Sequence, residues 1–224
     1  KLVRMCNTPS RAWLGLILLA SASMLQAADT TLDTLAAAAP ALDRNVLSLA
    51  LDARDCAARG HKVGRRLAVI DYSRPSTEIR MWIFDVQAGR LLHAEHVAHG
   101  RGSGDNLPTV FSDVEGSYQS SLGLFSTAET YTGQNGYSLR MDGLEPGING
   151  RARERLIVMH GADYVDPEQA RRQGRLGRSW GCPAVRDEVA QAVIDDLKDG
   201  QLLFAYAEDP AWRRNSTLLR CPAR

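Results

Sequence analysis

Six short apolar-rich runs, separated by clusters of Gly, Pro, Asn, Asp and Ser, dominate the sequence after residue 60. They are Leu67–Tyr72, Ile79–Val86, Arg90–Ala98, Gly136–Met141, Leu156–Met159 and Leu202–Ala207. Runs this short, bounded by turn formers, predict β-strands rather than helices. Helical signals are fewer. Leu42, Val46, Leu49, Ala50, Ala53, Cys56 and Ala57 fall three and four apart, and Gly60 supplies the stop, which predicts a helix over 42–59. Asp166-Pro167 reads as an N-cap with Pro at the first helical position, and Gly174 closes that short helix. Glu188–Lys198 puts Val189, Ala192, Val193 and Leu197 on one face, with Gly200 just past the end. With 44% hydrophobic and 24% charged residues, a chain of 224 residues can bury a core and stay soluble, which excludes disordered, collagen-like and multi-span membrane classes. No repeat or linker divides it. The prediction is one mainly β domain over 42–209, with 28–41 as a flexible segment and 210–224 as a C-terminal tail.

The first 27 residues read as an address. Basic Lys1, Arg4 and Arg11 lead into apolar Trp13–Ala20, then small residues and Gln26-Ala27-Ala28-Asp29. These are the three parts of a secretory signal peptide, with cleavage expected after Ala27 or Ala28 and Ala22 as the alternative. A membrane anchor is the competing reading, but the apolar run falls short of the roughly 20 residues that a helix needs to span a bilayer. The expectation is therefore an exported protein of the periplasm or cell envelope that touches membrane only through this peptide. Charge supports one further exclusion. Of 27 basic and 26 acidic side chains, three basic ones fall in the leader, so the remainder is slightly acidic. Nucleic-acid binding needs an excess of positive charge on one face, and no such partner is expected.

The chemistry concentrates between His160 and Cys182. The run Arg155–Met159 ends at His160-Gly161, and a loop with one short helix leads to Gly177-Arg178-Ser179-Trp180-Gly181-Cys182-Pro183. A cysteine after glycine in such a turn is placed for a substrate to reach it, and consecutive backbone N–H groups there can hold an oxyanion. A thiolate is a nucleophile, and an imidazole at a strand end can take the thiol proton. Arg175 and Arg178 flank the approach, able to stabilise a thiolate or bind a substrate carboxylate. The spacing fits equally a half-buried structural cysteine beside a satisfied histidine.

His160-Gly161 followed by Ser179-Trp180-Gly181-Cys182 resembles the catalytic motif of YkuD-type L,D-transpeptidases, and the flanking stretch resembles the murein L,D-transpeptidase catalytic domain branch. The resemblance covers roughly residues 42–209. It includes His99-Gly100-Arg101-Gly102-Ser103-Gly104 and Ser121-Leu122-Gly123-Leu124-Phe125, which look like the family's substrate-side segments. It implies a β-sandwich-like catalytic domain with an N-terminal helix and a short helix on either side of the cysteine turn. It also implies that Cys182 attacks peptidoglycan tetrapeptide stems, with His160 as base and the Gly161 carbonyl orienting it. Gly181 and Cys182 N–H groups would form the oxyanion hole, and no cofactor is implied. The thioester would pass to an amine of a second stem or a wall-attached protein, or to water, making the enzyme a transpeptidase or an L,D-carboxypeptidase or hydrolase. A non-catalytic wall-binding module is the rival of another class. On the substrate side the resemblance points to His99, Ser179, Trp180, Arg178, Arg175 and Arg186. Trp180 stands where most of the family has a second histidine, and Arg186 lies four residues after Cys182, where the common pattern has an arginine two after.

His93, His96 and His99 recur every three residues, but on a strand His96 points away from the other two, so no metal site is expected. His99 precedes the Gly-rich turn and is a candidate pocket residue. Tyr118, Tyr131 and Tyr137 are open to substrate contact or to packing. Of the four cysteines, Cys6 lies in the leader and Cys182 is the candidate nucleophile. Cys56 and Cys221 remain, open to two readings: a disulfide joining the chain's ends, or a buried thiol on the first helix.

Overall fold

The computed structural model describes residues 30–221, so the leader lies outside the described residues. Eight strands form one hydrogen-bonded sheet, in the order β3-β2-β1-β8-β4-β5-β6-β7. They are β1 (Arg66–Asp71), β2 (Met81–Asp85), β3 (Arg90–Glu95), β4 (Gly123–Gly133), β5 (Gly136–Gly143), β6 (Val158–Gly161), β7 (Ala184–Val185) and β8 (Leu202–Tyr206). Most neighbours are antiparallel, but β1 pairs parallel with β8, and β6 parallel with β7. Just beyond β3, Ala98 bridges to Ala184 of β7 with an N–H···O of 2.8 Å, which joins the two ends of the sheet. The sheet therefore curls nearly into a barrel, an arrangement that leaves little open edge.

Strands at the centre of the order read as continuous apolar runs because neighbours flank them on both sides. β2 and β8 are buried at every position, and β1 at all but its first. Helices cover the sheet. α2 (Arg44–Ala57) starts at Asp43, whose side chain accepts the Asn45 N–H, a cap worth about 1 kcal/mol. It buries Val46, Leu47, Ala50, Ala53 and Ala57 and packs on β1, β4 and β8. α3 (Pro167–Gln173) is capped by Asp166 and closed by left-handed Gly174, and α4 (Asp187–Leu197) packs on β6, β1 and β5. The mainly β class and the helices on either side of the cysteine turn match the sequence expectation.

Three features depart from it. Of the expected loose segment 28–41, the described part is ordered: 30–38 are helical (α1), with Leu35 and Ala39 buried in the core. Two buried side chains outweigh the alanine-rich, linker-like composition. Of the expected tail 210–224, the described residues 210–221 are not free either. α5 (Pro210–Asn215) buries Trp212 against Phe204 and Tyr206, at ring-centroid distances of 5.8 Å each, and Cys56 is joined to Cys221. Finally β4, the longest strand, lies in a stretch that the apolar-run criterion passes over. Its Ser, Thr and Glu positions hide the pattern, and a register shift between Thr127 and Thr130 breaks the alternation.

Candidate active site

His160 sits on β6, paired with Ser138 of β5 on one side and Ala184 of β7 on the other. The imidazole is 4% exposed, and its Nδ1–H donates to the Gly161 carbonyl at 2.6 Å. A carbonyl can only accept, so the neutral ring holds its proton on Nδ1 and keeps the Nε2 lone pair for use as a base. Burial pushes this imidazole below the ordinary histidine range, while the Gly161 carbonyl and the Asp187 carboxylate of α4 resist.

Following the parallel register back two residues from the His160–Ala184 pair puts Cys182 opposite Val158. The Val158 N–H donates to Cys182 Sγ at 3.4 Å, and the thiol faces the Leu156 carbonyl at 3.7 Å. Cys182 is the one free cysteine among the described residues. His160 and Cys182 thus lie on neighbouring segments two residues apart, with the thiol resting against the backbone at Val158 and Leu156. Burial pushes the thiol above its ordinary range, and the Val158 N–H and the Arg155 guanidinium pull against it. Both shifts favour the uncharged forms, thiol and imidazole.

The turn before Cys182 is fixed from inside. Ser179 Oγ accepts the Gly181 N–H at 3.1 Å and donates to the Cys182 carbonyl at 2.6 Å. Ser179 is therefore a turn-shaping residue rather than a substrate contact, and the Gly181 N–H is already committed. The Cys182 N–H has no hydrogen-bond acceptor among the described residues, which leaves it free to donate to an oxyanion. Ser120 joins this turn to the Gly-rich one: its hydroxyl accepts the Gly100 N–H at 3.0 Å and donates to the Gly181 carbonyl at 3.1 Å. The backbones approach so closely that a Cβ on Gly100 would lie 2.8 Å from Gly181 Cα and 2.3 Å from the Tyr118 carbonyl oxygen. Gly181 itself has φ +128°, which L side chains rarely adopt.

Four expected substrate residues are engaged elsewhere. His99 is fully buried, accepting from Arg80 Nη2 at 2.7 Å on Nδ1 and facing the Gly104 carbonyl at 3.3 Å through Nε2. Burial and the Arg80 charge push it down to about 3, so it is a neutral strut behind the Gly-rich turn, not a pocket wall. Arg178 bonds the Gly104 carbonyl and Asp105, both at 2.8 Å, and Arg175 points to the same Asp105 at 3.8 Å. Arg186 forms a forked ion pair with Glu95, its closest contact 2.9 Å. Each guanidinium meets a nearer carboxylate before any substrate arrives. Trp180 alone stays open, at 69% exposure. His93 pairs with Asp196 and His96 with the Thr77 carbonyl, so the three histidines serve three separate partners.

Arg155 carries a role that spacing alone does not reveal. It is 3% exposed and donates to the Ser112 carbonyl (2.7 Å), Ser121 Oγ (2.6 Å) and the Gln119 carbonyl (2.8 Å). Its Nη2 would lie 3.6 Å from a Cβ on Gly181. One buried cation thus orders the 112–121 loop and stands behind the Cys182 turn. A charged residue opening an apolar strand run was its only signal in the sequence. An open groove of about 380 Å³ lies on another part of the surface, between Phe111, Ile148 and Trp212, and Cys182 does not line it.

Among solved structures, the chain is similar to an L,D-transpeptidase from Mycobacterium smegmatis at 14% identity, with 64% of this chain and 59% of that one covered and a TM-score of 0.38. It is similar to L,D-transpeptidase 3 from Mycobacterium tuberculosis at 12% identity, 64% and 61% coverage and a TM-score of 0.41. A third likeness is to the helical cell shape determining protein Pgp2 from Campylobacter jejuni, at 9% identity, 71% and 54% coverage and a TM-score of 0.42. The chain spans little more than half the length of these structures. No curated protein matches it. The sequence profile of the L,D-transpeptidase catalytic domain matches residues 38–206, about three quarters of the sequence. The chain belongs to the L,D-transpeptidase catalytic domain family.

Proposed function

We propose that the protein is an exported L,D-transpeptidase that acylates Cys182 with peptidoglycan tetrapeptide stems. The observation that carries this reading is the His160 ring, held as its Nδ1–H tautomer by Gly161, one strand away from the free Cys182 thiol. The thiol leaves its rest against Val158 and gives its proton to His160 Nε2. Sulfur then bonds to the carbonyl carbon of the stem's third residue, and the oxyanion takes the Cys182 N–H. Collapse breaks the C–N bond, and His160 returns the proton to the departing amine of the terminal D-residue. An amine of a second stem or of a wall-attached protein next attacks the thioester; water in its place gives the L,D-carboxypeptidase or hydrolase outcome. The Cys56–Cys221 disulfide supports export, since disulfides persist in oxidising compartments.

The test is mass spectrometry of the protein incubated with a stem tetrapeptide, followed by muropeptide profiling of treated sacculi. The expected results are an acyl adduct on Cys182, new cross-links, and loss of both in Cys182→Ala. His160→Ala should slow acylation by about 10²- to 10⁴-fold. Released stems without cross-links would assign the hydrolase. Products unchanged in Cys182→Ala would overturn every enzymatic reading and leave a wall-binding module.

A further inference from the structure

Three arginines near the cysteine turn, Arg175, Arg178 and Arg186, already face carboxylates of the protein itself. A fourth does not. Arg101 is exposed, and its guanidinium makes no ion pair or hydrogen bond among the described residues. Its backbone is bound directly to the turn, with the Arg101 N–H donating to the Ser179 carbonyl at 2.8 Å and Gly100 bridging to Ser179. Its side chain is not loose, however. The guanidinium lies 4.3 Å from the Tyr118 ring centroid and 5.7 Å from that of Trp180, and the two rings lie 5.7 Å apart. Tyr118 and Trp180 are 40% and 69% exposed, so the aromatic pair forms a surface platform rather than part of the core. Tyr118 adopts φ +55°, an uncommon conformation for a tyrosine. A cation lying on aromatic faces keeps its N–H edge for a ligand while losing much of its rotamer freedom.

We propose that Arg101, presented by Tyr118 and Trp180, is the specificity residue that receives the C-terminal carboxylate of the donor stem. That carboxylate lies one residue beyond the scissile carbonyl, and Arg101 is joined to the turn that carries the nucleophile. A planar guanidinium meets a carboxylate with two parallel hydrogen bonds, which a neutral amide cannot match. Trp180, which stands where the resemblance puts a second histidine, lies with its ring 5.7 Å from this guanidinium. The inference rests on the transpeptidase reading for its substrate, but not for its geometry.

Binding is tested apart from chemistry. In a Cys182→Ala background, calorimetry compares a stem tetrapeptide bearing a free C-terminal carboxylate with the same peptide amidated. The acid is expected to bind about tenfold more tightly, in line with one charge-assisted pair at an exposed site. Arg101→Gln should abolish that preference, Arg101→Lys should keep part of it, and Trp180→Ala should weaken it. An acid preference that survives Arg101→Gln, or equal binding of acid and amide, would overturn the proposal. Acylation of Cys182 is followed separately on the otherwise unaltered protein. No adduct with the acid preference intact would refute the transpeptidase and leave the carboxylate subsite standing. An adduct formed equally fast from acid and amide would do the reverse.

Discussion

Burial moves the two groups of the candidate site in opposite directions, the Cys182 thiol upwards and the His160 imidazole downwards. Both shifts favour neutral forms, so the thiol should ionise only as the base takes its proton. Iodoacetamide, which reports thiolate, should therefore alkylate Cys182 with a pH midpoint above the ordinary thiol range. Arg155→Gln should move the midpoint further up, because it removes a cation that opposes the rise, whereas Arg155→Lys should restore part of it. A midpoint unmoved by Arg155→Gln would reduce that residue to a loop anchor. In the proposed mechanism, acylation needs the neutral imidazole. Since its value is lowered, the acid limb of kcat/KM should fall off below the ordinary histidine value of about 6.5. That His160 and Cys182 lie side by side was readable in the sequence because a His-Gly strand end and a Ser-x-Gly-Cys turn are local patterns. The partners of Arg101, Arg155, Arg178 and Arg186 were not. Arg186 meets Glu95 across 91 residues and Arg178 meets Asp105 across 73, and nothing local records such pairings.

Among the elements, caps and turn residues carried the information and composition misled. Asp166, Pro167 and Gly174 bound α3 as their backbone preferences require, and the turn at Gln134-Asn135 before Gly136 closes the β4–β5 hairpin. β4 draws its stability from contacts that its own residues do not display. Buried Glu145 accepts the Leu124 N–H at 3.0 Å, Asn149 Nδ2 donates to the Leu122 and Leu124 carbonyls, and Ser216 donates to the second Glu145 oxygen. The start of β4, the loop after β5 and the chain beyond α5 thus meet at one carboxyl. Glu145→Ala should destabilise the fold by about 1–3 kcal/mol in urea titrations, by leaving buried donors unpaired. Burial raises the Glu145 carboxyl, so the folded state holds that proton more tightly than the unfolded chain does. Its contribution to stability is then full below the unfolded value of about 4.3 and is lost as pH rises through the higher folded value. Glu145→Gln should flatten that decline. A decline as steep as in the original protein would assign the pH dependence to other groups.

Across the whole molecule, two closures act on different parts of the sheet. The Ala98–Ala184 bridge joins β7 to the segment after β3 and brings the Gly-rich turn against the cysteine turn. The Cys56–Cys221 bond ties α2 to the chain beyond α5, on the side where α2 packs on β1, β4 and β8. That bond closes a sequence separation of 165 residues, long enough for the chain-entropy model to assign it about 5 kcal/mol, with about 2–4 the usual measured yield. The double variant Cys56→Ser/Cys221→Ser should therefore lower the unfolding free energy by about 2–4 kcal/mol in urea. Because β6, β7 and the turns around Cys182 are held by bonds of their own, the pH midpoint for alkylation of Cys182 should stay where it is. Peptide mapping without reductant should find Cys56 linked to Cys221 and Cys182 alkylated. A shifted Cys182 midpoint in the double variant would mean that the terminal bond sets the geometry of the site, and the two closures would have to be treated as one.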